Sequence, residues 1–259
     1  MTRDDWFADR WASAGVSKGD MLLLHSSLKR TILALRRAGF LASAEDVLNS
    51  FLDALGPDGT LILPIFNFSF TTGVPFDIRT TPSEMGALTE IGRKHSDAVR
   101  TGHPIYSFVA IGAMSEIFRE IDNYSGYGAD SPFSKLMSED GKIGVLDLED
   151  FDSMTFYHYV EEALEVDYRL HKTFSGDYTD HAGSTSSRTY GLFVRNLDMG
   201  VQTDVNPMGE RLWARDLYSG HRPGEESGLR TIRARDLYDE TKLVIESGIA
   251  QGLLYSIDK

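Results

Sequence analysis

The fold of this chain is decided by the stretch Gly19-Asp20-Met21-Leu22-Leu23-Leu24-His25-Ser26-Ser27, which predicts a buried β-strand that ends in polar side chains. A second apolar run, Thr60 to Phe66, has the near-continuous hydrophobicity of a buried parallel strand. Between the two runs, Ser43-Ala44-Glu45-Asp46 predicts a capping box at the start of a helix, and Gly56-Pro57-Asp58-Gly59 ends that helix. The order strand, helix, strand indicates a βαβ-like unit.

Outward from this unit the hydrophobic periodicity predicts further helices and strands. Helices are expected at residues 6–12, 82–92 and 153–164, and two more are expected to start at 214–218 and 234–238. Further strands are expected at residues 107–111, 142–146 and 190–196. The alternation predicts an α/β fold with a mixed, mainly parallel sheet flanked by helices on both faces.

One segment differs in composition from the rest. Residues 174–187 are rich in Gly, Asp, Ser, Thr and Tyr, which predicts an exposed loop or lid. No composition shift marks a domain boundary, so we expect a single domain over residues 1–259, with a variable segment at about 165–210.

Composition excludes several classes of protein. The 259 residues are 41% hydrophobic and carry a formal charge of −13, which disfavours binding to nucleic acid or to an anionic membrane. The absence of cysteine excludes disulfides, thiolate nucleophiles and cysteine zinc sites. No apolar run approaches the roughly 18 residues of a membrane span, and no secretory signal opens the chain, so a cytoplasmic protein is expected.

The common catalytic signatures are missing. The sequence contains no G-x-x-x-x-G-K-[ST] phosphate loop, no G-x-S-x-G nucleophile elbow and no H-E-x-x-H zinc helix. Gly126-Tyr127-Gly128 begins like a dinucleotide fingerprint but lacks its third glycine. We expect no bound metal.

Two features carry chemistry. His158 and Glu161 lie three residues apart on a predicted helix, which places a base beside a carboxylate that can orient it, although a surface ion pair would have the same spacing. His25, Ser26 and Ser27 follow one buried strand and Asn67 follows the next, where α/β folds place their ligand sites, although a plain turn with a helix cap fits the same residues.

Several ordered stretches share one pattern with a known family. They are residues 19–28, Asp53 to Pro64, Phe76-Asp77 with Thr81 to Leu88, Arg100 to Ser107, Gly128 to Leu136, and Thr155-Phe156-Tyr157-His158-Tyr159-Val160-Glu161. This order resembles the aminoglycoside 3-N-acetyltransferase family over about residues 15–165. The resemblance implies an α/β fold distinct from the GNAT fold, an acyl-CoA donor and the primary amine of a sugar as acceptor.

The resemblance also implies roles for individual residues. It makes His158 the general base that deprotonates the acceptor amine, with Glu161 orienting it, for direct attack on the thioester in a ternary complex. It assigns the donor site to the strand-end loops, with the candidates His25, Ser26, Ser27, Ser83, Met85, Ser107 and Ser131. Oxyanion donors are expected from backbone amides or a hydroxyl near Ser26, Ser27 or Ser107.

The chain departs from the resistance enzymes of this family after about residue 165. Tyr168, Arg169, Lys172 and Arg195 form a basic and aromatic segment that suits a phosphate-bearing ligand with a stackable base. We therefore expect the acceptor to be a nucleotide-linked amino sugar of surface-polysaccharide biosynthesis, bound also by Asn67. Asp204 is a further candidate for binding the amine or supporting His158.

Other functions stay open at this point. The same chemistry on an aminoglycoside would make the protein a resistance enzyme, and loss of the chemistry would leave a non-catalytic binding protein with the same fold. Ordinary surface cations would also account for the basic segment. The expected partners are small molecules, and a homo-oligomer stays open.

Overall fold

The structure, a computed structural model, describes residues 1–257. Its helices are α1 (Arg3–Ser13), α2 (Leu28–Arg37), α3 (Ala44–Leu55), α4 (Ala87–Arg93), α5 (Pro132–Ser138), α6 (Phe156–Ala163), α7 (Asn206–Ala214) and α8 (Ala234–Glu246). Its strands are β1 (Met21–Ser26), β2 (Thr60–Phe66), β3 (Phe76–Asp77), β4 (Val99–Arg100), β5 (Tyr106–Gly112), β6 (Lys142–Leu146), β7 (Arg169–Thr179), β8 (Thr185–Arg195), β9 (Val201–Thr203), β10 (Ser219–Gly220), β11 (Leu229–Arg233) and β12 (Tyr255–Ile257). In this part of the chain no helix has the length and apolarity needed to cross a membrane.

A seven-stranded sheet in the order β10-β11-β6-β1-β2-β5-β4 forms the centre of the molecule. Strands β6, β1 and β2 pair in parallel, whereas β5 and β11 run antiparallel to their neighbours on both sides. The predicted βαβ unit is therefore present as β1, the helices α2 and α3, and β2. The predicted α/β fold with a mixed sheet is confirmed.

The helices cover both faces of this sheet, as predicted. Along β1 the side chains alternate: Leu22 and Leu24 belong to one hydrophobic core with α1 and α3, and Met21 and Leu23 belong to the other with α5 to α8. Large apolar side chains fill both cores, and each fully buried one contributes about 1.5–3 kcal/mol. The capping box at Ser43 is also present, because the Asp46 amide donates to Oγ of Ser43 (3.2 Å) and the Ser43 amide donates to Oδ2 of Asp46 (2.7 Å).

Strands β1 and β2 separate towards their carboxyl ends. Their pairing runs from Met21 and Thr60 to Leu23 and Ile62 and goes no further, although both strands continue. Pro64 lies just beyond this point, in the middle of the buried strand β2. Proline has no amide hydrogen to donate to β1, so it suits a position where these two strands diverge, while the pairing of β2 with β5 continues through it. The divergence leaves space between the ends of the two strands.

The prediction of a loop or lid at residues 174–187 is wrong. These residues belong to a β-hairpin in which β7 and β8 pair over eleven residues each, and β7 also pairs in parallel with β3. The outer half of the hairpin is polar on its exposed face, where cross-strand hydroxyl pairs such as Ser175 with Thr189 (2.8 Å) hold it together, whereas Tyr178 on the other face is buried. The composition resembles that of a loop because the covered face has few apolar side chains in this half, with Gly176 beside the buried Tyr178.

Two helix predictions also need correction. Helix α4 begins at Ala87 rather than Pro82. Ahead of it, Oγ of Ser83 accepts the Met85 amide and hydrogen-bonds with the Thr89 hydroxyl, so these residues form a side-chain-supported turn instead of a first helical turn. Residues 214–218 end α7 instead of starting a helix: Arg215 caps it and Asp216 has a φ of 54°. The helix predicted from Ala234 is present as α8.

Candidate active site

The centre of the site is a histidine–carboxylate pair on α6. Nδ1 of His158 lies 2.7 Å from Oε2 of Glu161, one turn further along the helix. The Glu161 side chain is 0% exposed and the His158 side chain is 15% exposed. The pair is thus buried against the sheet, and the alternative of a surface ion pair does not hold.

A third residue completes this pair from the base of the hairpin. Nε of Arg169, the first residue of β7, lies 2.5 Å from the same Oε2 of Glu161, and its Nη1 donates to the carbonyl oxygen of Phe193 on β8 (3.1 Å). The Arg169 side chain is buried. The expectation that Arg169 binds a phosphate-bearing ligand is therefore wrong, because its guanidinium is consumed by Glu161.

These neighbours set the protonation states. Burial lowers the pKa of His158 below its ordinary value, and the charge of Arg169 lowers it further, whereas Glu161 acts in the opposite direction. Burial acts to raise the pKa of Glu161, but Arg169 and His158 outweigh it, and the net shift is downward. At neutral pH the pair is thus a carboxylate and a neutral imidazole. Since a carboxylate only accepts, Nδ1 carries the proton and Nε2 is the free basic nitrogen.

His158 faces a cavity of about 210 Å³ at the carboxyl ends of β1, β2 and β6, where the divergence of β1 and β2 leaves room. Its walls come from the ends of these strands and from the loops that follow them. The lining residues are His25, Phe66, Phe68, Met85, Tyr106, residues 150–155, His158, Thr203 and Val205. This is the edge at which open α/β sheets bind their ligands.

The wall of this cavity opposite β1 contains a buried charge network. Oδ2 of Asp150 accepts the hydroxyls of Tyr157 (2.7 Å) and Tyr218 (2.8 Å), and its Oδ1 pairs with Nη2 of Arg230 (2.7 Å). A β-carbon at Gly209 would lie 2.6 Å from the Asp150 carboxyl group, so the approach of α7 requires glycine there. Sequence reasoning missed this network, because Asp150 and Arg230 are 80 residues apart and no local pattern links them.

The donor-site candidates do not form one cluster. His25 and Met85 line the cavity, and burial followed by the charge of Arg230 lowers the pKa of His25 to about 3, so this imidazole is neutral. Ser26 and Ser27 are half-buried at the end of β1, and Ser27 precedes α2 directly. Ser83 is half-buried and hydrogen-bonded within its own turn.

Two of these serines lie away from the cavity. Ser107 is 0% exposed, accepts from Arg100 and donates to the carbonyl oxygen of Ile65 (3.0 Å), so it cannot serve as an oxyanion donor. Ser131 is buried and belongs to a separate hollow with Ser134 and Lys135 at the start of α5. Their burial and position thus separate both serines from the cavity that His158 faces.

The acceptor-site candidates are also dispersed. Asn67 is buried and braces its own loop through the carbonyl oxygen of Pro82 and the amide of Ser69, and Tyr168 is buried in a stack on Tyr255 with 4.0 Å between ring centroids. Neither residue lines the cavity, so the structure does not bring these two candidates to His158. Lys172 and Arg195 are exposed on the hairpin and do not line the cavity. Asp204 lies between the lining residues Thr203 and Val205 but does not line the cavity itself. Among residues 1–257 it forms no hydrogen bond with His158.

No metal site competes with this interpretation. Among the described residues no group of three or more His, Asp or Glu side chains is placed to hold a metal ion.

A larger cavity, of about 470 Å³, lies between α2 and residues 224–227, and it is lined by Arg30, Arg37 and Asp147 but by no histidine.

Fold and site together define an α/β protein that positions a neutral, carboxylate-anchored imidazole over a cavity at a strand-end edge. The model of the aminoglycoside 3-N-acetyltransferase family matches residues 23–246, and the chain belongs to this family. Among curated relatives, the aminoglycoside N(3)-acetyltransferase III of Pseudomonas aeruginosa is 28% identical over 59% of this chain and 61% of its own length. The YokD protein of Bacillus subtilis, described as aminoglycoside N(3')-acetyltransferase-like, is 26% identical over 57% and 60%. The matches thus span about three fifths of these relatives.

Solved structures agree on the fold. The aminoglycoside acetyltransferase AAC(3)-Xa superposes with a TM-score of 0.80 at 22% identity, over 96% of this chain and 94% of that one. AAC-IIIb, in a binary complex with CoASH, gives a TM-score of 0.79 at 20% identity, over 95% and 97%. The fold expected from the resemblance, distinct from the GNAT fold, is confirmed.

Proposed function

We propose that this protein is an acyl-CoA-dependent N-acetyltransferase that acts on the primary amine of an amino sugar. The observation that carries the proposal is the free Nε2 of His158, held over the cavity by a fully buried Glu161. Family membership supports it, and so does a structural relative in complex with CoASH.

The proposed reaction uses His158 as a base. A sugar amine is mostly ammonium near neutral pH, and His158 takes a proton from it so that nitrogen can attack the thioester carbonyl. A carbon–nitrogen bond forms, the carbon–sulfur bond breaks, and the imidazolium returns its proton to the departing thiolate. The second proton that the nitrogen loses on becoming an amide passes to solvent. With no cysteine in the chain and no serine bonded to His158 among residues 1–257, direct attack is favoured over an acyl-enzyme. Backbone amides at the end of β1 are the remaining candidates for holding the oxyanion.

The donor's phosphates find a suitable surface on α2. This helix starts directly after Ser27 and contains no acidic residue. It carries four exposed cations, Lys29, Arg30, Arg36 and Arg37, in a chain of net charge −13. A local basic surface at the cavity edge would attract a polyanionic donor that the rest of the chain repels.

The cavity suits an acceptor that arrives as a cation. Its mouth has the exposed rings of Phe68 and Phe151 and the exposed carboxylate of Asp152. Aromatic rings and carboxylates favour an ammonium-bearing sugar. The hypothesis of a nucleotide-linked amino sugar loses its main support because Arg169 is buried and paired with Glu161. Of the basic residues that suggested it, Lys172 and Arg195 remain, and both lie outside the cavity. An aminoglycoside-type acceptor is therefore our first choice.

The test is thiol release from acetyl-CoA and longer acyl-CoAs against aminoglycosides, simple amino sugars and nucleotide-linked amino sugars, with His158→Gln as the control. We expect turnover with cationic amino sugars and a loss of at least about 100-fold in the His158 variant. Turnover with nucleotide-linked sugars alone would instead support a role in glycan biosynthesis. Full activity of the His158 variant would refute the assignment of His158 as the base. No turnover with any pair of donor and acceptor would favour a non-catalytic homologue.

A further inference from the structure

We infer that Arg169 is a positioning residue of this site, which acts through Glu161 to hold the imidazole of His158 as a neutral base with Nε2 towards the cavity. The inference rests on the proposed function for its kinetic part, and its first test needs no substrate. It replaces the ligand-binding role that the sequence pattern suggested for Arg169.

The geometry around Glu161 carries the inference. Oε2 of Glu161 is shared by Nε of Arg169 at 2.5 Å and Nδ1 of His158 at 2.7 Å, and all three groups are largely screened from water. Removal of Arg169 would leave a buried carboxylate without a cation beside it, with the His158 imidazole and the Tyr168 hydroxyl as its ionisable neighbours. Such a carboxylate is costly in a protein interior and competes for a proton with its neighbour.

Arg169 is itself held in place by several elements. It opens β7 opposite Arg195 of β8, and its Nη1 donates to the Phe193 carbonyl oxygen. The residue before it, Tyr168, stacks on Tyr255 of β12. Because the guanidinium is fixed by the base of the hairpin, the position of Oε2, and with it the plane of the imidazole, is fixed by β7 as well as by α6.

The groups that face His158 allow the effect of Arg169 to be isolated. From α6 it meets Glu161, from β7 Arg169, and from the segment before α5 the ring of Tyr127, whose centroid lies 5.2 Å away. Across the cavity the other titratable lining residues are His25, Tyr106, Asp150 and Asp152. Arg169 is the cation that contacts the pair directly, so its removal changes one charge at the base.

The first experiment is an NMR titration of His158, assigned with His158→Gln, in the wild type, in Arg169→Gln and in Arg188→Gln. Arg188 is the matched control, because it lies on the same hairpin and pairs with Asp122 (2.9 Å), away from Glu161. We expect the midpoint of His158 to rise by about one pH unit in Arg169→Gln and to stay constant in Arg188→Gln. An unchanged midpoint in folded Arg169→Gln would overturn the inference, whatever the activity of the protein.

The second experiment separates positioning from ligand binding. Arg169→Lys keeps the charge but loses the planar guanidinium, so we expect kcat to fall about tenfold while KM for acyl-CoA and acceptor changes less than twofold. A rise in KM at constant kcat would mean that Arg169 binds a ligand after all. If Arg169→Gln does not fold, the lysine variant decides: its His158 midpoint should stay near the wild-type value, and wild-type kcat in this variant would refute the inference.

Discussion

At the scale of single residues, the protonation of His158 decides when the site can work. The base must be neutral, and burial together with Arg169 lowers its pKa below the ordinary value for histidine. We therefore expect the acidic limb of the kcat/KM profile to lie below pH 6.5, the usual pKa of histidine, so that activity persists into mildly acidic solution. The measurement is a pH–rate profile with saturating donor. A limb at or above pH 6.5 would contradict the assigned electrostatics.

Asp150 is a residue whose replacement should act on stability. It is the counterion of the buried Arg230 guanidinium and accepts two tyrosine hydroxyls. Asp150→Asn leaves that cation unpaired, so we expect the free energy of unfolding to fall by about 3–5 kcal/mol in urea titrations. Arg233→Gln, which breaks the exposed pair with Asp140, is the control and should leave stability unchanged. Equal stabilities for the two variants would contradict the role given to Asp150.

Sequence reasoning reached some of these residues and missed others for a physical reason. His158 and Glu161 could be paired because helical geometry fixes neighbours three residues apart. Arg169 follows Glu161 by only eight residues, but the chain leaves the helix at Leu164 and returns as a strand, so spacing gives no contact. A tyrosine and an arginine that fill the interior look the same in the sequence as a tyrosine and an arginine that bind a ligand.

At the scale of elements, His103 ties the start of β5 to the hairpin. Its Nδ1 accepts the amides of Ile105 (3.2 Å) and Tyr106 (2.9 Å), so Nε2 carries the proton and donates to the Gly191 carbonyl oxygen (3.3 Å). Burial lowers the pKa of His103 to about 4, against the two backbone carbonyls that act to raise it. A proton on Nδ1 would break both amide contacts.

This histidine gives a signed pH dependence of stability. The unfolded chain binds the proton near pH 6.5 and the folded chain only near pH 4, so unfolding takes up a proton between these values and stability falls as the pH falls. We expect a loss of up to about 3 kcal/mol across this window, which urea unfolding at several pH values would measure. His103→Asn should flatten the curve relative to the wild type, whereas the exposed His181→Gln should not. Parallel curves for all three proteins would contradict the assignment.

Helix α2 gives a prediction about the donor. Arg36→Gln with Arg37→Gln removes two exposed cations at little cost in helix propensity. We expect KM for acetyl-CoA to rise about tenfold and its dependence on ionic strength to weaken, with kcat preserved. Lys242→Gln on α8 is the control for the loss of an exposed cation elsewhere. An unchanged KM would place the donor's phosphates on another surface.

Elements were predictable where one side of them is buried. The apolar runs of β1, β2 and β6 and the capping box of α3 were read correctly because burial and capping leave local patterns. The hairpin was not, because its outer half has few apolar side chains on the covered face and has the composition of a loop. At residues 214–218 the structure has a helix end where the sequence predicted a start, since the same residue types serve both.

At the scale of the whole molecule, the net charge of −13 sets the approach of an acceptor. With acetyl-CoA saturating, we expect kcat/KM for a polycationic aminoglycoside to fall roughly tenfold from low to near-molar salt, because screening removes long-range attraction. A nucleotide-linked acceptor would show the opposite trend. Steady-state kinetics over a series of salt concentrations would separate the two substrate classes, and a flat response to salt would contradict electrostatic steering.

The order of strands in the sheet is the part of the fold that the sequence did not disclose. The antiparallel insertion of β5 beside β2 and of β11 beside β6 depends on contacts between segments far apart in the chain. Apolar runs show that a strand is buried but contain no label for its neighbour or direction. The resemblance to a family supplied the architecture that local patterns could not.

The separation of β1 and β2 at Pro64 bears on how this site can evolve. The cavity is opened by the backbone, at a residue without an amide hydrogen, and not by a gap left among small side chains. Phe68 and Phe151, which lie in the loops after β2 and β6, can therefore change in size without breaking a strand ladder, and the His158–Glu161 pair on α6 stays where it is. A scaffold that keeps its chemistry on one helix and its tolerance for substitution on the facing loops can drift between acceptors, which makes it a favourable starting point for both natural divergence and laboratory selection.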